Sequence, residues 1–81
     1  MYRLIIADDE ENIRNGMAHS LPWREWGYEV AALCASGQEV LDQMASCKPD
    51  VVLSDIRMPG MDGLELMQRL SRDYPQVKIV I

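Results

Sequence analysis

No apolar run in this sequence approaches the length of a membrane-spanning helix, and Met1-Tyr2-Arg3 opens onto a stretch too short for a signal peptide. A membrane role is therefore not expected; a cytoplasmic setting is. Cysteine is scarce. Cys34 and Cys47 are the only two, and their spacing fits neither a metal-binding pattern nor a disulfide framework. Both read as small core or near-core residues. His19 is the single histidine. Its place near a helix end reads as a surface residue in preference to a phosphohistidine donor or a metal ligand. Basic side chains are outnumbered, eight Lys and Arg against thirteen Asp and Glu, for a formal charge of −5. That balance argues against direct binding of nucleic acid or an anionic membrane by this segment.

What the chain does have is apolar material, 48% of its 81 residues, which makes disorder an unsuitable reading. A chain of this size makes one small domain and buries only roughly 60–65% of its unfolded surface. The stretch Val51-Val52-Leu53-Ser54-Asp55-Ile56-Arg57-Met58-Pro59-Gly60-Met61-Asp62-Gly63 organises the rest. Its apolar start, bounded by turn residues, reads as a strand buried on both faces of a parallel sheet. Asp55 then sits near the carboxyl end of that strand, where open α/β sheets place their ligand sites. The first strand, Leu4-Ile5-Ile6-Ala7, ends likewise in Asp8-Asp9-Glu10. Neighbouring parallel strands would gather Asp8, Asp9 and Asp55 at one sheet edge, and an oxygen-only cluster of that kind suits Mg²⁺.

In chain order, Tyr2 to Ala7 is a strand, and Ile13, Met17 and Leu21 give the following helix a buried stripe. Pro22 breaks that helix and Gly27 turns the chain. Trp23 and Trp26 in this connection are read as covering the end of the core with their indole N–H groups outward, in preference to forming a partner patch. Tyr28 to Ala35 is a second strand whose small residues suit a sheet edge. Ser36-Gly37-Gln38-Glu39 has capping-box form, with Val40, Leu41 and Met44 as the buried face of the second helix. Asp62-Gly63-Leu64-Glu65 caps a third helix in the same manner; Leu64, Met67 and Leu70, helped by Leu66, form its stripe. Gly60 and Gly63 are expected to relieve the turn's backbone. Val77 to Ile81 reads as a fourth strand. The βαβαβαβ order gives a parallel sheet with right-handed crossovers.

Ala7-Asp8-Asp9-Glu10 after the first strand and Leu53-Ser54-Asp55-Ile56-Arg57-Met58-Pro59-Gly60-Met61-Asp62-Gly63 around the third resemble a two-component response-regulator receiver domain. The resemblance runs from Met1 to Ile81. It implies an α/β, flavodoxin-like parallel sheet with flanking helices, of strand order 2-1-3-4-5. It also implies phosphoryl transfer from a sensor histidine kinase to Asp55, with Mg²⁺ bound by Asp9 and Asp55, by Asp8 chiefly through water, and by the backbone carbonyl of Arg57. The Arg57 side chain has no implied role. The family pattern further needs a Thr or Ser ending strand 4 and a Lys ending strand 5. Lys78 begins its strand and substitutes for neither, so the chain is read as a receiver truncated after the start of strand 4. The Trp-rich exit from the first helix resembles receivers that precede an AraC-type DNA-binding domain, through which DNA binding would come.

Two other readings compete. A haloacid-dehalogenase-like phosphatase also phosphorylates an aspartate after a parallel strand, but it wants a second Asp two residues on, where this chain has Arg57. A truncated scaffold that folds or self-associates without phosphorylation is the other. An apolar Val77–Ile81 edge with only Lys78 to discourage pairing makes a homo-oligomer the expected state of the isolated chain.

Overall fold

Each apolar run bounded by turn residues becomes a strand, and each amphipathic stretch between them a helix. The computed structural model describes residues 1–81. Its elements are β1 (Tyr2–Ala7), α1 (Glu11–Ser20), β2 (Tyr28–Cys34), α2 (Gly37–Cys47), β3 (Val51–Ser54), α3 (Gly63–Asp73) and β4 (Lys78–Val80). The strands form one parallel sheet of order β2-β1-β3-β4, the flavodoxin-like arrangement. β1 is central, and Ala7 lies opposite both Cys34 of β2 and Ser54 of β3. That register decides where the site forms, because Asp8 and Asp55 leave their strands side by side. The β1–β2 ladder slips at Leu4/Ile5, leaving Ala31 as the extra residue of a β-bulge. No helix is long and apolar enough to cross a membrane.

The main core lies on one face of the sheet. Ile5, Ala7 and Val52 pack there against Val40 and Met44 of α2 and Leu66 and Leu70 of α3. Leu4 and Ile6 alternate to the other face, where α1 lies against β1 and β2. One helix leaves much of this face open. Leu53 is therefore only half-buried, not enclosed on both sides as its apolar run suggests, and Val80 beside it is exposed. Ile13, Met17, Leu53 and Ile81 line an open groove there of about 360 Å³.

Two helix stripes also differ from the expectation. In α1 the half-buried positions are Arg14, Gly16, Met17 and Ala18, whereas Ile13 and Leu21 are exposed. Leu21 has already left the helix in an extended conformation. In α3 the buried pair is Leu66 and Leu70, with Met67 half-buried and Leu64 exposed at 48%. Apolar spacing alone left the two choices of face close to equal, and contact with the sheet selected one.

The caps form largely as their sequences suggest. Ser36 Oγ accepts from the Glu39 N–H, and Asp62 Oδ1 from the Glu65 N–H at 2.9 Å. Glu39 reaches back one residue further than a standard box, accepting from the Ala35 N–H. Lys48 ends α2 in the left-handed region, its N–H donating to the Met44 carbonyl. At the far end of the sheet Trp23 does not turn its indole outward. Its Nε1 donates to the Met17 carbonyl at 2.8 Å, fastening the connection to α1, while Trp26 stacks edge-on against it and stays exposed.

Candidate functional site

Three carboxylates meet where β1 and β3 end. Oxygens of Asp8, Asp9 and Asp55 all lie within 4.8 Å of one another. Asp8 is buried; Asp9 and Asp55 are exposed. A buried carboxylate needs partners, and Asp8 has them at every polar atom group. Its Oδ1 accepts from the Glu10 N–H at 2.9 Å, its N–H donates to the Cys34 carbonyl at 3.0 Å, and its carbonyl accepts from Arg14 Nη1 at 2.9 Å. Asp55 is fixed at the backbone: its N–H donates to the Ala7 carbonyl at 2.9 Å and its carbonyl accepts from the Ser54 hydroxyl at 2.9 Å. Its Oδ1 accepts from the Ile56 N–H, and the residue as a whole is exposed.

The loop after β3 closes over this end. Met58 inserts into the core at 7% exposure, Gly60 takes φ +74°, and the Gly63 N–H donates to the Ile56 carbonyl at 2.7 Å. Gly60 thus has the conformational role expected of it. Gly63 does not. Its φ is not positive; it is there for space, because a Cβ would stand 2.4 Å from the Asp55 carbonyl oxygen. Met61 lies over Gly37, setting the loop against the start of α2. Asp9, Ile56, Arg57, Met58, Pro59 and Asp62 line an open cleft, so Arg57 faces the same space as Asp9. Of the four residues singled out in the sequence, the three aspartates come together, and Arg57 lines the cleft that Asp9 also lines. Lys78 pairs with Val51 at the opposite end of the sheet.

The donor set fits a hard divalent cation. It is all oxygen, and the spread of the three groups is close to the roughly 4 Å between opposite ligands of an ion with metal–oxygen bonds near ~2.1 Å. Repulsion between such groups is about 1 kcal/mol per pair at water-like screening, so two exposed members tolerate the cluster without an ion. Beside the site, burial and then Glu39 push the Cys34 thiol up to about 11, which makes it an inert core residue.

A family model for the response regulator receiver domain matches residues 4–81. The chain belongs to that family. It is 36% identical over its whole length to the uncharacterized transcriptional regulatory protein YesN of Bacillus subtilis, of which it covers 22%. It is 39% identical over 80 residues to the response regulator GacA of Pseudomonas viridiflava, covering 37% of that protein. The REC domain of AraT, a response regulator from Geobacillus stearothermophilus, superposes with a TM-score of 0.88 at 37% identity, over 96% of this chain and 60% of that one. The chain thus spans less than two thirds of each. Phosphorylation on aspartate and Mg²⁺ binding at an acidic cluster are general properties of receiver domains, and in this chain Asp8, Asp9 and Asp55 lie close together. The phosphatase alternative gains nothing, since position 57 is Arg and the family is the receiver's.

Arg14 is the residue that reading the sequence missed. A cation on the first full turn after Asp8-Asp9-Glu10 was the available signal; it was masked by assigning that face to Ile13, Met17 and Leu21.

Proposed function

We propose that Asp55 is the phosphoacceptor of this receiver and that a sensor histidine kinase is its phosphodonor. The observation that carries this is the convergence of Asp8, Asp9 and the exposed Asp55 within 4.8 Å at the ends of β1 and β3. In the reaction, the free oxygen of Asp55 attacks phosphorus in line with the phosphohistidine P–N bond. An O–P bond forms, the P–N bond breaks, and its electron pair leaves on the imidazole nitrogen, which takes a proton from solvent. The product is an acyl phosphate on Asp55.

Asp8, Asp9, Asp55 and the backbone carbonyl of Arg57 are the groups that would hold Mg²⁺. The ion supplies positive charge for the phosphoryl oxygens. The chain's own contribution is positional: Ser54 and Ala7 fix the Asp55 backbone, and Met58 anchors the loop that bounds the site. No side chain here has to accept or donate a proton to the reacting atoms. A cytoplasmic setting follows from the phosphodonor. DNA binding, suggested by relatives named as transcriptional regulators, would belong to segments other than this acidic one.

Incubation with acetyl phosphate and Mg²⁺, followed by intact-mass measurement, tests the reading. The expected result is addition of one phosphoryl group, abolished in Asp55→Asn and by chelation. Unchanged labelling of Asp55→Asn would overturn the assignment. No labelling of the wild-type chain would favour a scaffold that folds without accepting phosphate.

A further inference from the structure

Asp9 is the least supported member of the acidic cluster. It is exposed, and the amide nearest it in sequence, Glu10 N–H, is already given to Asp8. Its carboxylate is aimed by the backbone alone. The peptide unit joining Asp8 to Asp9 is planar, so whatever fixes the Asp8 carbonyl also fixes the direction in which the chain enters Asp9. That carbonyl accepts from Arg14 Nη1 at 2.9 Å. Arg14 is half-buried although Ile13 next to it is exposed, so α1 is turned to bring Arg14 inward at the expense of an apolar neighbour. Arg14 enters none of the ion pairs, which are Arg3–Glu29, Arg69–Glu65 and Arg72–Asp73. Its charge is directed at a main-chain oxygen beside three carboxylates.

We propose that Arg14 is a positioning residue for the metal-binding turn, holding the Asp8–Asp9 peptide plane so that Asp9 faces Asp55. This rests on the reading of Asp8, Asp9 and Asp55 as the Mg²⁺ ligands. The role has a distinctive sign. A cation close to a metal site repels the incoming ion, so deleting a bystander arginine should tighten Mg²⁺ binding. Deleting a group that orients a ligand should weaken it, as loss of outer-shell hydrogen bonds does by roughly 10–100-fold.

The experiment compares wild type, Arg14→Met and Arg14→Lys. Arg14→Met keeps most of the aliphatic stem and removes every donor; Arg14→Lys keeps the charge without the fork. Two measurements are made by NMR: amide exchange at Asp9 and Glu10 in metal-free protein, and titration with Mg²⁺ alone. Arg14→Met should exchange faster at those two amides and bind Mg²⁺ on the order of tenfold more weakly, with Arg14→Lys between it and wild type. Unchanged exchange at Asp9 and Glu10 overturns the inference whatever the ion does. Unchanged or tighter Mg²⁺ binding in Arg14→Met overturns it as well. Should Arg14→Met fail to fold, Arg14→Lys decides by the same two readings. Wild-type protein that shows no saturable shifts at Asp8, Asp9 and Asp55 would refute the metal reading, and the exchange arm would still judge Arg14.

Discussion

Replacing Gly63 by alanine sets two opposing effects against each other beside Asp55. Gly63 begins α3, where alanine is intrinsically better than glycine by about 0.5–1 kcal/mol. Against this, the new Cβ would stand 2.4 Å from the Asp55 carbonyl oxygen, 3.0 Å from Ile56 Cα and 3.2 Å from the Asp55 carbonyl carbon. The first distance is roughly 1 Å short of a comfortable contact. All three neighbours are backbone, so no side-chain rotation relieves the overlap. Either α3 retreats from the end of β3 or the Asp55 peptide tilts. Overpacking of this kind costs about 1–3 kcal/mol, which outweighs the propensity gain. The net expectation is a loss of about 1–2 kcal/mol in urea unfolding. Amide shifts should concentrate at Ser54 to Arg57, and phosphorylation by acetyl phosphate should slow because the Ser54–Asp55 hydrogen bond shares the displaced carbonyl. Gly16→Ala is the control: nothing lies within 4 Å of its Cβ, it is inside α1, and it should stabilise by about 0.5–1 kcal/mol. A Gly63→Ala midpoint equal to or above wild type, with the Ser54 to Arg57 shifts unmoved, would refute the reasoning.

Three further expectations use different parts of the molecule. Leu66→Ala, at a fully buried position, should cost about 2–5 kcal/mol in denaturant, and the half-buried Leu53→Ala clearly less; equal losses would show that the open face is better covered than its exposure indicates. Cys34 is raised by burial and then by Glu39 to about 11, whereas an unfolded thiol ionises near about 8.5. The folded state therefore retains the proton longer, and this contribution to stability, complete below the unfolded value, is lost as pH rises toward 11. Unfolding midpoints measured across that window should fall more steeply for wild type than for Cys34→Ala, and thiol labelling at neutral pH should reach Cys47 first. The outer edge of β4 has no strand beside it, and Val80 and Ile81 are exposed. The isolated chain should therefore sediment as a concentration-dependent oligomer. Val80→Lys should suppress this, and is a better probe than Ile79→Lys because Ile79 packs against the core.

Reading residues in order carried the fold a long way because its signals are local. Period-2 and helical spacing, Ser36 and Asp62 as caps, and turn residues at Gly27 and Gly60 each act within a few positions. The alternation of strand and helix then leaves little choice but a parallel sheet. The acidic cluster was legible for a related reason: both carboxylate motifs directly follow apolar runs, and parallel strands end at the same edge. Where spacing offered two nearly equivalent faces, local information ran out. Ile13 against Arg14 in α1 and Leu64 against Leu66 in α3 were settled by which side met the sheet. Trp23 was similarly ambiguous, since its partner is a main-chain carbonyl that becomes available only where α1 ends.

The sequence by itself thus determined the elements, their order, and the three aspartates that close the strands. Only the tertiary structure decided that Ala7 faces Ser54, which sets Asp8 beside Asp55; that Gly63 is required for space; and that Arg14 turns inward to the Asp8 carbonyl. Register, steric clearance and the direction of a long side chain depend on atoms many residues apart, and no short-range pattern encodes them.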